Sequence, residues 1–250
     1  MQIFLKILFK VKEEGILKTL YLICKFICNI NKHLSYKKVL NIRNKKKLFS
    51  EIYKKNIWNS KETRSGEGSE FKYTANLRIF LPKIISHFKI KVIVDAPCGD
   101  FNWMKHIIKN KNLKYIGLDI VPKIINANKK NYSQNNITFI TSDICKDKIP
   151  SCDLLIVRDC LFHFSYKDIS RFLLNISRAD YKYLLTTTHV VKKNFKNRDI
   201  ATGDFRLINL FKYPFNFKKK FVISEIKDYP KDHKTPRKLI LVKKKNVPIY

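Results

Sequence analysis

At 250 residues the chain is long enough for one α/β domain with an appendage, and its 45% apolar content excludes a disordered polymer. The formal charge of +32 points toward polyanions, yet the basic excess is spread out: 14 basic against 3 acidic residues in 1–57, 21 against 12 in 58–190 and 17 against 5 in 191–250. That spread, in a chain rich in Lys, Ile and Asn, fits AT-biased coding better than a dedicated nucleic-acid face, and leaves anionic lipid or a polyanionic substrate as the competing explanation.

Residues 1–57 read as a basic helical extension of two helices with a break near Asn31 and His33. Lys6, Lys10, Lys18 and Lys25 interrupt the apolar N-terminal stretch. No run therefore reaches the ~18–20 apolar residues of a spanning helix, and no signal peptide is expected. Residues 16–30 keep a wide apolar face with lysines off it, which makes residues 1–30 a candidate for peripheral membrane contact. Packing on the domain or on a second subunit competes with that reading. Six cysteines lack a paired C-x-x-C spacing, so reduced thiols in a cytoplasmic protein are expected, with neither zinc nor a disulfide framework.

The second domain is expected over 58–250. Residues 58–70 form a loop holding Gly66 and Gly68, two of only six glycines where ~17 would be average. In so glycine-poor a chain, such positions serve positive φ or close approach, unless the loop is simply a flexible linker. Residues 71–87 are helical by spacing. Strands are then predicted over 91–95, 114–119, 137–141, 152–157 and 181–188, and helices over 101–109, 122–130 and 166–178. The last helix opens with a Ser165–Asp168 pair resembling a capping box. Residues 221–226 and 238–242 read as two closing strands, an antiparallel hairpin at the edge of a mostly parallel sheet. The fold class is α/β, Rossmann-like and doubly wound, with seven strands.

Chemistry gathers at the strand ends. The first strand ends in Asp95 and turns through Pro97, Cys98 and Gly99 into Asp100, the strand–turn–helix layout that cradles nucleotide-like ligands. The second strand ends in Asp119, twenty residues after Gly99, spaced to accept hydrogen bonds from both ribose hydroxyls. The third leads into Asp143, a second acid placed to read an adenine amino group, and the fourth into Arg158, Asp159 and His163.

These segments resemble the class I S-adenosylmethionine-dependent methyltransferases over roughly residues 58–245. They look most like a bacterial-type subgroup with D-A-P-C-G-D-F-N-W-M, R-D-C-L-x-H and T-T-T followed by T-G-D, represented here from Asp95, Arg158, Thr186 and Thr202. The resemblance implies that the Asp95, Pro97, Cys98, Gly99 and Asp100 turn holds the methionine part of S-adenosyl-L-methionine. Asp119 with Ile120 would hold the ribose, Asp143 with Ile144 would face the adenine, and Asp159 would touch cofactor or acceptor. Pro97 and Phe101 stand where the family's turn has glycines, and no Asn-Pro-Pro-Tyr follows the fourth strand, which disfavours methylation of a base nitrogen.

The expected activity is O-methylation of a small-molecule or sugar-like acceptor. His163 is the candidate general base, since an imidazole titrates near neutrality, and Asp159 and Arg158 complete the catalytic set. Half-buried capping by His163 and pairing of Arg158 with Asp159 or Asp153 are the bland alternatives. Residues 197–206 are expected to wall the acceptor, and the three threonines to offer it hydroxyls. A dinucleotide-dependent oxidoreductase, and a non-catalytic basic nucleic-acid or membrane-binding module on the same fold, are the competing functions. Nucleic acid is a disfavoured partner, and no metal site is expected.

Overall fold

The computed structural model describes residues 10–11, 13, 15–108, 112–229 and 233–249, with side chains of 28–33 excepted. Residues 1–9, 12 and 14 of the stretch expected to contact membranes lie outside the described residues, as do 109–111. Two compact units are present, 1–42 and 43–250. The division thus falls between Ile42 and Arg43 rather than at residue 57.

Unit one contains helix α1 (Ile16–Leu40), continuous through the break expected near Asn31 and His33. Unit two opens with α2 (Lys45–Lys54), whose N-cap Asn44 accepts a hydrogen bond from the Lys47 amide. Helix α3 (Ala75–His87) follows, burying Leu77, Leu81 and Ile84 at helical spacing.

Strands β1 (Val92–Asp95), β2 (Lys114–Asp119), β3 (Ile137–Thr141), β4 (Cys152–Val157), β5 (Tyr181–His189), β6 (Val222–Lys227) and β7 (Arg237–Lys243) form one sheet. Their order is β3-β2-β1-β4-β5-β7-β6. Pairs β3·β2, β2·β1, β1·β4 and β4·β5 are parallel, and β7 runs antiparallel between β5 and β6. The fold is therefore Rossmann-like, with the expected C-terminal hairpin at one edge. Near-continuous apolar runs in β1 and β4 are the mark of strands covered on both faces.

Helices α4 (Pro122–Tyr132) and α5 (Tyr166–Arg178) stand where the spacing places them. In α5, Ile169, Phe172, Leu173 and Ile176 form the buried stripe. Half of the expected capping box is made: the Asp168 amide donates to Ser165 Oγ at 3.2 Å, while the Asp168 carboxylate accepts from Thr202 Oγ1 at 2.6 Å.

The helix expected over 101–109 is a correction. Among its described residues, 101–108, only a single 3-10 turn, Met104–His106, forms. Phe101 takes a left-handed backbone, φ 60°, which no helix can start from. Its ring packs against Tyr115, Tyr132 and Phe139 at 5.0–5.3 Å in the core, and this burial offsets the ~1–2 kcal/mol backbone cost.

Candidate active site

Strand order reverses at β1, whose neighbours are β2 and β4. Open α/β sheets bind ligands at the carboxyl ends of strands beside such a switch point. One crevice, partly open to solvent, lies there. Asp95, Asp119 and Asp143 all line it, as do Pro97, Cys98, Gly99, Ile120, Ile144, Arg158, Asp159 and His163.

Asp119 ends β2, where its Oδ2 accepts from the Gly99 amide at 3.2 Å and its Oδ1 from the Val121 amide at 2.9 Å. Burial pushes its carboxyl up to about 6, against those amide bonds. Each oxygen retains a second lone pair for a ligand hydroxyl. Asp143 accepts from the Cys145 amide at 3.0 Å and from Lys45 Nζ at 3.1 Å, and both donors fall on Oδ1. Beside it, the buried Ser142 hydroxyl lines the crevice and has no hydrogen-bond partner among the described residues. An orphaned buried hydroxyl in a largely apolar crevice marks a place for a ligand's polar atom.

Asp95 sits deeper. Tyr115 Oη donates to its Oδ2 at 2.8 Å, and burial pushes it up to about 7. Near neutrality it is therefore only partly charged, a weaker anion than its place in the motif suggests.

Asp100 is not among the crevice-lining residues. Its carboxylate instead ties down the 58–70 loop, accepting from Thr63 Oγ1 at 2.6 Å, the Arg64 amide at 3.0 Å and Ser65 Oγ at 3.0 Å. The Asn102 amide group donates to Glu62 Oε1 and to the Ser69 carbonyl at 2.6 and 3.0 Å. This loop is thus fastened to the turn rather than a loose linker. Its glycines have distinct reasons. Gly66 needs φ 90°, and a Cβ on Gly68 would overlap the Asp159 carboxylate and the Tyr229 hydroxyl. Trp58, Ser65 and Ser69 join the crevice wall.

Past β4, Asp159 also takes a left-handed backbone, φ 51°. Its carboxylate meets Arg237 Nη1 at 3.1 Å, Thr187 Oγ1 at 3.2 Å and Arg158 Nη1 at 3.6 Å. Burial would raise its pKa, but the two guanidiniums hold it well below the carboxylate range. Arg158 is gripped by Asp228, Nε to Oδ2 at 3.0 Å and Nη2 to Oδ1 at 3.1 Å, beneath the Trp103 ring. Burial opposes its charge, yet Asp159 and Asp228 raise its pKa. The expected partners of Arg158 were Asp159 or Asp153. The structure makes Asp228 the principal one, while Asp153 caps the Lys91 and Val92 amides.

His163 Nδ1 lies 2.8 Å from the Asp204 carbonyl oxygen, which only accepts. Nδ1 therefore carries the proton and Nε2 the lone pair. The Trp58 ring sits 5.3 Å from the imidazole. Burial lowers the pKa to about 4, so titration near neutrality is corrected: the ring is neutral throughout the physiological range.

Residues 197–206, expected to wall the acceptor, are not among the crevice-lining residues. They brace His163 from behind: the Gly203 amide donates to the His163 carbonyl at 2.7 Å, and Arg206 Nη1 donates to the Phe164 carbonyl. The threonines act likewise. Thr187 Oγ1 holds Asp159, Thr186 Oγ1 donates to the Val157 carbonyl and Thr188 Oγ1 accepts from the Leu210 amide.

Sequence reasoning missed Lys45, Phe49 and Tyr53 of α2, which line the same crevice. It also missed Arg237, Asp228 and Tyr229, which hold the β4 exit. The only available signal was the amphipathic spacing of Leu48, Phe49 and Ile52 in α2, which predicts a buried face but not its partner. Among the described residues, no group of three or more His, Cys, Asp or Glu side chains is placed to hold a metal ion.

Residues 93–179 match a family model described as a methyltransferase domain. No curated protein matches the sequence. Among solved structures, the chain is similar to mitomycin 7-O-methyltransferase, with TM-score 0.54 and 14% identity over 84% of this chain and 60% of that one. It is similar to magnesium protoporphyrin IX methyltransferase from Synechocystis with SAM bound, with TM-score 0.53 and 10% identity over 81% and 98%. Human N-acetylserotonin methyltransferase in complex with SAM gives TM-score 0.52 and 15% identity over 78% and 58%. The chain thus spans less than two thirds of the human and mitomycin enzymes. At such identities the likeness shows a common fold.

Proposed function

We propose that the chain is an S-adenosylmethionine-dependent methyltransferase acting on a hydroxyl oxygen of a small-molecule or sugar-like acceptor. The observation that carries this reading is the convergence of Asp95, Asp119 and Asp143, from three strand ends, on one crevice with the unpartnered Ser142 hydroxyl. The methyltransferase-domain match over 93–179 and the O-methyltransferase among the similar folds support it.

The residues present fit S-adenosylmethionine. Asp119 offers two carboxylate oxygens to the ribose hydroxyls, and Ile120, Val121 and Ile144 supply apolar walls for a purine. Ser142 and Asp143 supply polar atoms to its edge. The Gly99 turn, with Asp95 behind it, takes the amino-acid end. When bound, the cofactor supplies an electrophilic methyl group on a positively charged sulfur.

His163 Nε2 receives the proton that the acceptor hydroxyl loses as its oxygen is methylated. A neutral imidazole with its tautomer set by the Asp204 carbonyl is ready for this without prior deprotonation. Trp58 and Ser69 border the acceptor and exclude water, and orientation provides much of the acceleration. Asp159 and Arg158, bound to Arg237 and Asp228, position the β4 exit rather than take part in proton transfer. The dinucleotide alternative would want a fuller G-x-G-x-x-G than the turn through Pro97, Gly99 and Phe101 supplies.

Calorimetric titration tests the assignment. S-adenosylmethionine and its demethylated product should bind and NAD should not. A folded Asp119→Ala variant should lose ~1–3 kcal/mol of that affinity. Unchanged cofactor affinity in the folded variant, or tight NAD binding by the wild type, would overturn it.

A further inference from the structure

Helix α1 supplies none of the crevice-lining residues described. Its 25 residues extend about 37 Å and include five lysines and no acid. At ~100° per residue, Ile16, Leu20, Ile27 and Leu34 project within about 40° of one another, with Leu17 and Tyr21 on one flank. All six are more than half exposed, Leu17 at 85%. Lys25 marks the boundary of the apolar arc, its ammonium 6.0 Å from the Tyr21 ring. Lys37 and Lys38 are exposed in the last turn.

We propose that α1 lies in the surface of an anionic phospholipid membrane. Two observations select this occupant. An exposed apolar stripe with Lys25 beside it and Lys37 and Lys38 at its C-terminal end gains from acyl chains and anionic headgroups together. A second copy of the same helix would bring five lysines against five, with no acid in either helix to pair them. No helix among the described residues is long and apolar enough to cross a membrane, so the helix lies in the interface plane.

Flotation of the full chain with phosphatidylcholine vesicles, with and without phosphatidylglycerol, is the test. Flotation is expected only with phosphatidylglycerol, and weaker in high salt. Because the whole protein carries +32, the deciding variant leaves charge untouched. Leu20→Gln/Ile27→Gln should weaken partitioning at least ~tenfold while cofactor affinity and melting temperature stay the same. Wild-type partitioning by that variant would assign the attraction to overall charge and overturn the proposal. So would equal flotation on neutral vesicles, or a wild-type dimer that ignores vesicles and dissociates on the double substitution.

Discussion

Two carboxyls in the crevice, Asp95 at about 7 and Asp119 at about 6, titrate close enough to neutrality to be read by kinetics. A proton on Asp119, whose carboxyl is raised to about 6, removes the charge that the proposed reading offers to the ribose hydroxyls. Cofactor affinity should therefore weaken as pH falls through about 6. His163 is lowered to about 4 from an ordinary 6.5, so it stays an unprotonated base across this range and is lost only near pH 4. With cofactor saturating, kcat should stay flat from pH 8 to about 5 while the cofactor KM rises below 6. A kcat that halves near 6.5 would remove His163, as described, from the base role. His163→Gln should lower kcat by on the order of 10²–10⁴ and leave cofactor affinity intact. Stability carries the opposite signs. The raised Asp119 costs stability as pH rises from 3.8 through 6, whereas the depressed His163 costs stability as pH falls from 6.5 through 4.

The elements around the site differ in how they are held. Strands β1, β2 and β4 sit in the middle of the sheet, and the carboxylates at their ends inherit that rigidity. The 58–70 loop has no such support and depends on Asp100, Asn102 and the close seat of Gly68 on Asp159 and Tyr229. Asp159 cannot yield to a new methyl group, because Arg237 and Thr187 hold it. Gly68→Ala should therefore push the loop outward, with its Ser69 and Trp58. Steady-state assays should show kcat/KM falling on the order of 10–100-fold, with little change in melting temperature. An alanine variant with wild-type kcat/KM would mean that the loop's seat on Asp159 does not matter to the reaction.

At the scale of the whole molecule, the division between Ile42 and Arg43 has a direct consequence. Every crevice-lining residue described belongs to 43–250, including Lys45, Phe49 and Tyr53 of α2. A chain beginning at Arg43 should bind S-adenosylmethionine with the full-length dissociation constant. One beginning at Trp58 should bind it at least ~tenfold more weakly, having lost the apolar wall of Phe49 and Tyr53. Calorimetry on the two chains checks this, and equal affinities would show that α2 is a bystander.

The strand pattern and the acids at the strand ends were legible in the sequence because both are local. A run such as Val92–Ile93–Val94 before Asp95 states its own burial and its own terminus, and parallel strands bring such termini to one edge wherever they stand in the chain. The roles of individual side chains were decided by contacts distant in sequence. Lys45 reaches Asp143 across 98 positions and Arg158 reaches Asp228 across 70, while Asp100 turned from the crevice to the loop that covers it. Nothing within a few residues of either partner encodes such a pairing. A carboxylate's type and place are properties of its own segment, but whether it meets ligand, arginine or backbone amide depends on what the folded chain carries to it.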